Sequence, residues 1–152
     1  MENKTTLLFG IHMHQPVDNF KDVIAHAVNV CYKPFFELLS RYPEFRFSLH
    51  CSGWLMQQIE KDYPKLFSTI VELAAKGSIE FLSGGYYEPI LGVIPSKDRK
   101  AQIKKLSDAI EKKFNQKPKG LWLAERVWEN PYMFSALFTD VISVQHILVK
   151  TD

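Results

Sequence analysis

The chain is poor in the features that would mark a special class of protein. Two cysteines, Cys31 and Cys51, in 152 residues cannot make a disulfide-stapled scaffold, and both sit in apolar segments where free core thiols are expected. Charge of one sign is lacking: 19 Lys+Arg face 17 Asp+Glu, a net +2. That balance gives no electrostatic case for nucleic acid or an anionic membrane surface. No run approaches the ~18 apolar residues of a membrane span. The apolar stretch before His12 is too short for a signal-peptide core of about 7–15 residues. A cytoplasmic, soluble protein is expected. No G-x-x-x-x-G-K, G-x-G-x-x-G or G-x-S-x-G motif occurs, which argues against phosphate cradling and a nucleophile-elbow hydrolase.

Short apolar runs and helix-period segments alternate along the chain. Strands are expected over 6–12, 45–51, 78–83 and 120–124, with a fifth over 144–149. Between them, Val23, Ile24, Ala27, Val28 and Cys31 recur at helical spacing, and Pro34 suits the first turn of a second helical piece. Ser52 is placed to cap a short helix through Ile59, and Pro64 opens another that ends before Gly77. Ser96 is placed to cap a helix with the stripe Ile103, Leu106, Ile110 and Phe114. A short helix is expected over 131–138. This alternation predicts an α/β fold with a parallel sheet, its strands nearly all apolar under helices.

Polar residues break the apolar pattern at the strand ends, where parallel α/β folds bind ligands. His12-Met13-His14-Gln15-Pro16 ends the first strand and His50-Cys51-Ser52-Gly53-Trp54 the second. His12 and His14 point to one face of an extended chain. They are rim histidines bonded to backbone, a metal pair, or donors to a polyhydroxylated ligand. A metal site needs further ligands. Glu80 lies between Ile79 and Phe81, so it pairs with a cation or faces a polar cavity; the cavity is favoured. Glu88 follows Gly84-Gly85 and is a site residue or an exposed loop residue. Glu125 follows an apolar strand between Trp122 and Trp128. It is a carboxylate beside indole faces, as suits a sugar site, or a rim charge partner of Arg126 with both Trp in the core. The second reading is weakened because adjacent strand residues point to opposite sides. Glu129 reads as a helix-start acid. What remains is a two-carboxylate mechanism.

Three segments together resemble glycoside hydrolase family 57, which includes α-amylases, 4-α-glucanotransferases, amylopullulanases and branching enzymes. They are His12-Met13-His14-Gln15-Pro16; Gly77-Ser78-Ile79-Glu80 running into Gly85-Tyr86-Tyr87-Glu88-Pro89; and Trp122-Leu123-Ala124-Glu125-Arg126-Val127-Trp128. The resemblance covers residues 5–138, and the α-amylase/4-α-glucanotransferase branch is the nearest in character. It implies a parallel (β/α)7 barrel of TIM-like type, present here as an incomplete N-terminal portion of about five strands, with 1–152 belonging to that single catalytic domain. It implies retention of configuration on an α-glucan or maltooligosaccharide, with Glu125 as nucleophile. It also implies that His12, His14, Glu80 and Trp122 line the subsite for the attacked sugar, with no cofactor and no catalytic metal.

The family's general acid/base is an Asp on a later strand; Asp152 does not match it, and Asp140 lies in the tail from about Ser135 where the match loosens. The chain alone is therefore expected to be inactive. Two other readings stay open: a metal-dependent hydrolase or deacetylase using His12 and His14, and a non-catalytic sugar-binding remnant. A closed barrel takes on the order of 200–250 residues, so self-association through an open barrel edge is expected. Sedimentation of residues 1–152 checks this: oligomers are expected, and a monodisperse, cooperatively melting monomer would refute it.

Overall fold

A computed structural model describes residues 7–127 and the backbone of 142–143. The elements run β1 (Gly10–Met13), α1 (Lys21–Ala27), a π-helical turn (Val28–Tyr32), α2 (Lys33–Leu39), β2 (Phe47–Cys51), α3 (Gly53–Asp62), α4 (Pro64–Ala75), β3 (Ile79–Phe81), α5 (Ser96–Phe114), β4 (Gly120–Leu121) and β5 (Ile142–Ser143). β1, β2 and β3 form a parallel sheet in that order. A parallel bridge between Ser83 and Leu121 carries the order on to β4, which pairs in parallel with β5. The expected α/β class with a parallel sheet is therefore present. The helix expected over 131–138 and the strand over 144–149 lie outside the described residues.

The strands do not read as all apolar, and this corrects the sequence expectation. Met13, Phe47, Leu49, Cys51, Ile79 and Phe81 turn to one face and pack beneath Val28, Phe36, Leu55, Ile59, Leu73, Leu106 and Ile110. The residues between them, Gly10, His12, Ser48, His50 and Glu80, alternate to the other face. An alternating pattern belongs to a sheet covered on one side. Among the described residues the helices pack on the first face, and the polar side chains lie on the second.

Residues 21–39 form one continuous helical run. Pro34 has no N–H for the carbonyl of Val30 and would crowd it in a regular α-helix. The turn before it widens, and Lys33 N–H reaches back five residues to Val28 O. The buried stripe therefore runs Ile24, Val28, Tyr32, Phe36, Leu39. Cys31, expected in the core, falls on the outside and is exposed, while Cys51 is buried.

Other local signals act as read. Ser52 Oγ accepts from Leu55 N–H at 3.3 Å, and Gly77 takes φ 75° after α4. Ser96 is the first helical residue of α5 and makes no cap; Pro95 holds the cap position. The edge of β3 is closed by a side chain. Gln116 accepts from Phe81 N–H at 3.2 Å and donates to Ile79 O at 2.9 Å. Beside it Phe114 stacks on Phe81, ring centroids 4.0 Å apart.

Ser52 is buried and links the end of β2 to the start of α3. Ser52→Ala is expected to cost about 1 kcal/mol, read as a lower urea midpoint at unchanged m-value; no shift would show that the cap contributes nothing.

Candidate active site

The register of β1 against β2 sets His12 directly beside His50. Their Nδ1 atoms lie 2.9 Å apart, one hydrogen bond between two imidazoles. Trp122 follows β4 on the same face and stacks on His12, centroids 4.6 Å apart at 17°, and more distantly on His50. Three flat rings thus stack together at the carboxyl ends of the strands. His50 is fully buried and His12 partly so, whereas the His14 side chain keeps 53% of its surface.

Glu88 joins the cluster from the loop after β3. Its Oε1 accepts from His12 Nε2–H at 2.9 Å and its Oε2 from His14 Nδ1–H at 3.2 Å. The loop that delivers it is fastened at many points. Glu88 N–H bonds Gly85 O, and Trp54 N–H bonds Tyr86 O. Gln102 of α5 accepts from Tyr87 N–H at 3.0 Å, and Lys105 Nζ lies over the rings of Tyr86 and Tyr87. Buried Arg99 donates to Leu91 O and Ile94 O. Glu88 itself takes φ 55°, a left-handed conformation that a side chain with Cβ enters only at a cost.

Two glycines are required by space. A Cβ on Gly84 would lie 2.5 Å from His50 Nε2 and 3.3 Å from Trp122 O. A Cβ on Gly53 would fall 2.2 Å from the Tyr86 ring. The first lets the loop touch the buried histidine; the second lets it lie on α3.

The electrostatics follow from the geometry. Burial alone would raise the Glu88 carboxyl, but the hydrogen bond and charge of His12, with His50 and His14 behind, outweigh it and hold the pKa below its ordinary value. Burial, reinforced by His12, pushes His50 down from 6.5 to about 3, so this ring is neutral. Among the described residues, His50 Nε2 has no hydrogen-bond partner. The burial of Cys51 raises its thiol, which makes it an inert core group rather than a nucleophile.

The expected site residues are distributed unevenly. His12, His14 and Trp122 come together. Glu80 sits on the same sheet face, opposite Ser48, but is exposed, and no described residue pairs with it. Glu125 lies not at the end of a strand but in a 3-10 turn, Ala124–Arg126, three residues past Trp122, at φ 57°. It is exposed and makes no hydrogen bond to the histidines. Trp128 and Glu129 lie outside the described residues. Glu88, which the sequence left undecided, proves to be the hub, and His50 joins it. The sequence marks His50 as a polar residue at the end of the second strand, and the register, which puts the fourth residue of β2 opposite the third of β1, sets it against His12. By distance alone His12, His14 and Glu88, with donor atoms within 4.8 Å of one another, could also hold a divalent ion.

His50 predicts an acid-sensitive fold. An unfolded chain takes up a proton near pH 6.5, whereas the folded ring resists until about pH 3. Stability is therefore full above 6.5 and falls as pH drops through that window, and Glu88 adds to the loss at its lower end. Urea midpoints should fall with a slope nearing about one proton, a slope that His50→Gln flattens. Gly84→Ala should destabilise by about 1–3 kcal/mol in the same assay; a neutral effect would show that the His50–Gly84 contact is loose.

The sequence model of Glycosyl hydrolase family 57 matches residues 8–150. The chain is 52% identical over 120 residues to "Alpha-amylase 1" of Dictyoglomus thermophilum, covering 79% of this chain and 18% of that protein. It is 40% identical over 126 residues to the 4-alpha-glucanotransferase of Thermococcus litoralis, covering 83% and 19%. The crystal structure of the latter superposes with a TM-score of 0.80 at 41% identity, over 86% of this chain and 20% of that one. A peptidoglycan N-acetylglucosamine deacetylase, Bc1960, shares the fold at 14% identity and TM-score 0.58, over 93% and 57% of the chains. The chain thus spans about a fifth of the length of the curated relatives it matches. No described helix is long and apolar enough to cross a membrane. With motif order, side-chain cluster and sequence match in agreement over the same segments, the chain belongs to glycosyl hydrolase family 57.

Proposed function

We propose that this chain supplies the N-terminal part of a retaining glycoside hydrolase or glucanotransferase that acts on α-1,4-glucans, on a (β/α)7 barrel. The observation that carries the reading is the side-chain cluster itself: His12, His14, Glu88 and Trp122 meet at the strand ends, and the Glu125 turn follows three residues after Trp122. Named α-amylases and 4-alpha-glucanotransferases among its relatives support the substrate class.

In this reading the sugar lies against Trp122, with imidazole and carboxylate groups reaching its hydroxyls. Glu125 attacks the anomeric carbon while a second carboxyl, about 5–5.5 Å away in a retaining enzyme, protonates the departing oxygen. A covalent glycosyl-enzyme results. The second carboxyl then activates water or an acceptor sugar, which separates hydrolysis from transfer. No residue of this chain is assigned that second role. Glu80 belongs to the lower wall of the same subsite. The left-handed backbone at Glu125 supports a functional placement, since such strain persists where the surroundings impose it.

Binding and chemistry are tested separately. Calorimetry with maltoheptaose on residues 1–152 should give saturable heat at millimolar ligand, and Trp122→Ala should weaken binding by up to about tenfold. In a polypeptide joining this sequence to the acid/base-bearing segment, Glu125→Gln should lower turnover by about 10³-fold or more. Heat without loss of turnover in Glu125→Gln would leave a sugar-binding site and reject the nucleophile.

A further inference from the structure

The three histidines and Glu88 form one hydrogen-bonded chain, and its direction can be worked out from its buried end. His50 Nε2 meets no acceptor among the described residues. What it faces is Gly84, whose hydrogen stands where a Cβ would come within 2.5 Å. A proton on Nε2 would there abut a C–H bond and forfeit a hydrogen bond in a dry site. A bare lone pair, by contrast, meets the weakly polarised Cα–H. The proton of neutral His50 therefore sits on Nδ1 and is donated to His12 Nδ1, 2.9 Å away. His12 then carries its own proton on Nε2, which points at Glu88 Oε1. Glu88 Oε2 requires a proton on His14 Nδ1, so in a neutral His14 ring Nε2 is bare and, among the described residues, unpartnered.

We propose that Glu88 is the positioning residue of the cluster: by accepting one hydrogen bond from each of His12 and His14 it fixes the tautomers of all three histidines. His12 is thereby spent on the protein, between Glu88 and His50, and braces Trp122. His14 alone presents a free ring nitrogen, an acceptor for the hydroxyl of a bound sugar. That last clause rests on the sugar-site reading above; the tautomer assignment does not.

Nitrogen-15 long-range spectra of the imidazoles, recorded on the full chain at mildly alkaline pH, read the assignment directly. The expected pattern is a proton on Nδ1 of His50, Nε2 of His12 and Nδ1 of His14. A proton on His50 Nε2 would overturn the proposal. In Glu88→Gln the amide offers one acceptor and one donor group. It can still accept from His12 but must donate to His14 Nδ1, so the His14 proton should move to Nε2 and its resonance shift from the unprotonated to the protonated range. A merely structural Glu88 would leave that resonance in place, and this result would also overturn the proposal. The wild-type spectrum stands even if the variant fails to fold. Calorimetry without maltoheptaose heat, alongside the expected tautomers, would reject the sugar reading and keep the positioning role.

Discussion

A carboxylate shielded from water at the head of a parallel sheet is tolerable only with donors on both oxygens. At Glu88 those donors are His12 and His14, which share a face because they are two residues apart on an extended strand. Much of the local architecture follows from meeting that demand. The loop must turn sharply enough to bring residue 88 back over β1, which it does through the bond from Glu88 to Gly85 and a left-handed residue before Pro89. It must pass close over His50 and α3, which excludes a Cβ at Gly84 and Gly53. It must also resist relaxing, and Arg99, Gln102 and Lys105 of α5 grip it along its length.

The sheet separates stability from chemistry by using its two faces differently. On the covered face a continuous core of Phe36, Leu49, Leu55, Ile59, Leu73, Phe81, Leu106 and Ile110, all at or near zero exposure, supplies the hydrophobic stabilisation. Each such side chain contributes about 1.5–3 kcal/mol on burial. The other face carries what a core cannot: an orphaned ring nitrogen, a strained glutamate and a stack of polar rings. Features of this kind cost about 1–3 kcal/mol each, so they depend on the opposite face being well packed. The groove between α2 and α4, lined by Val28, Phe36, Tyr63 and Leu66, lies on the helical side and holds none of these groups.

Much of the fold is legible in the residue pattern, for local reasons. Ser52 and Gly77 act at short range and occupy the roles their types imply. Where expectation and structure part, a longer-range constraint decides. Pro34 widens the helix before it, and the shift turns Cys31 outward. Strand alternation was visible in Phe47-Ser48-Leu49-His50-Cys51, but a parallel sheet suggested helices on both sides and so masked it. In the site, His12, His14 and Trp122 announce themselves at strand ends. His50 also stands at a strand end and Glu88 in the loop after one, but their roles lie in whom they touch, thirty-eight residues apart for His12 and His50 and seventy-four for His14 and Glu88. No local signal encodes such a meeting.

The backbone adds a separate line of reasoning about the acids. Among the described residues four non-glycine positions take positive φ: Asp18, Glu88, Asn115 and Glu125. Asp and Asn are the types that enter the left-handed region readily, because a short polar side chain can bond its own backbone. Asn115 does so in the ordinary place, at the end of a helix. Glutamate has no such compensation. Yet both left-handed glutamates occur in segments that follow a strand on the same rim, one after β3 and one after β4. For Glu88 the compensation is visible, since the conformation delivers two hydrogen bonds to the histidines. Glu125 has the same conformation, and no hydrogen bond among the described residues offsets its strain. The two acids therefore differ in kind: the conformation of Glu88 is offset by its hydrogen bonds to His12 and His14, while Glu125 holds the same conformation on an exposed turn.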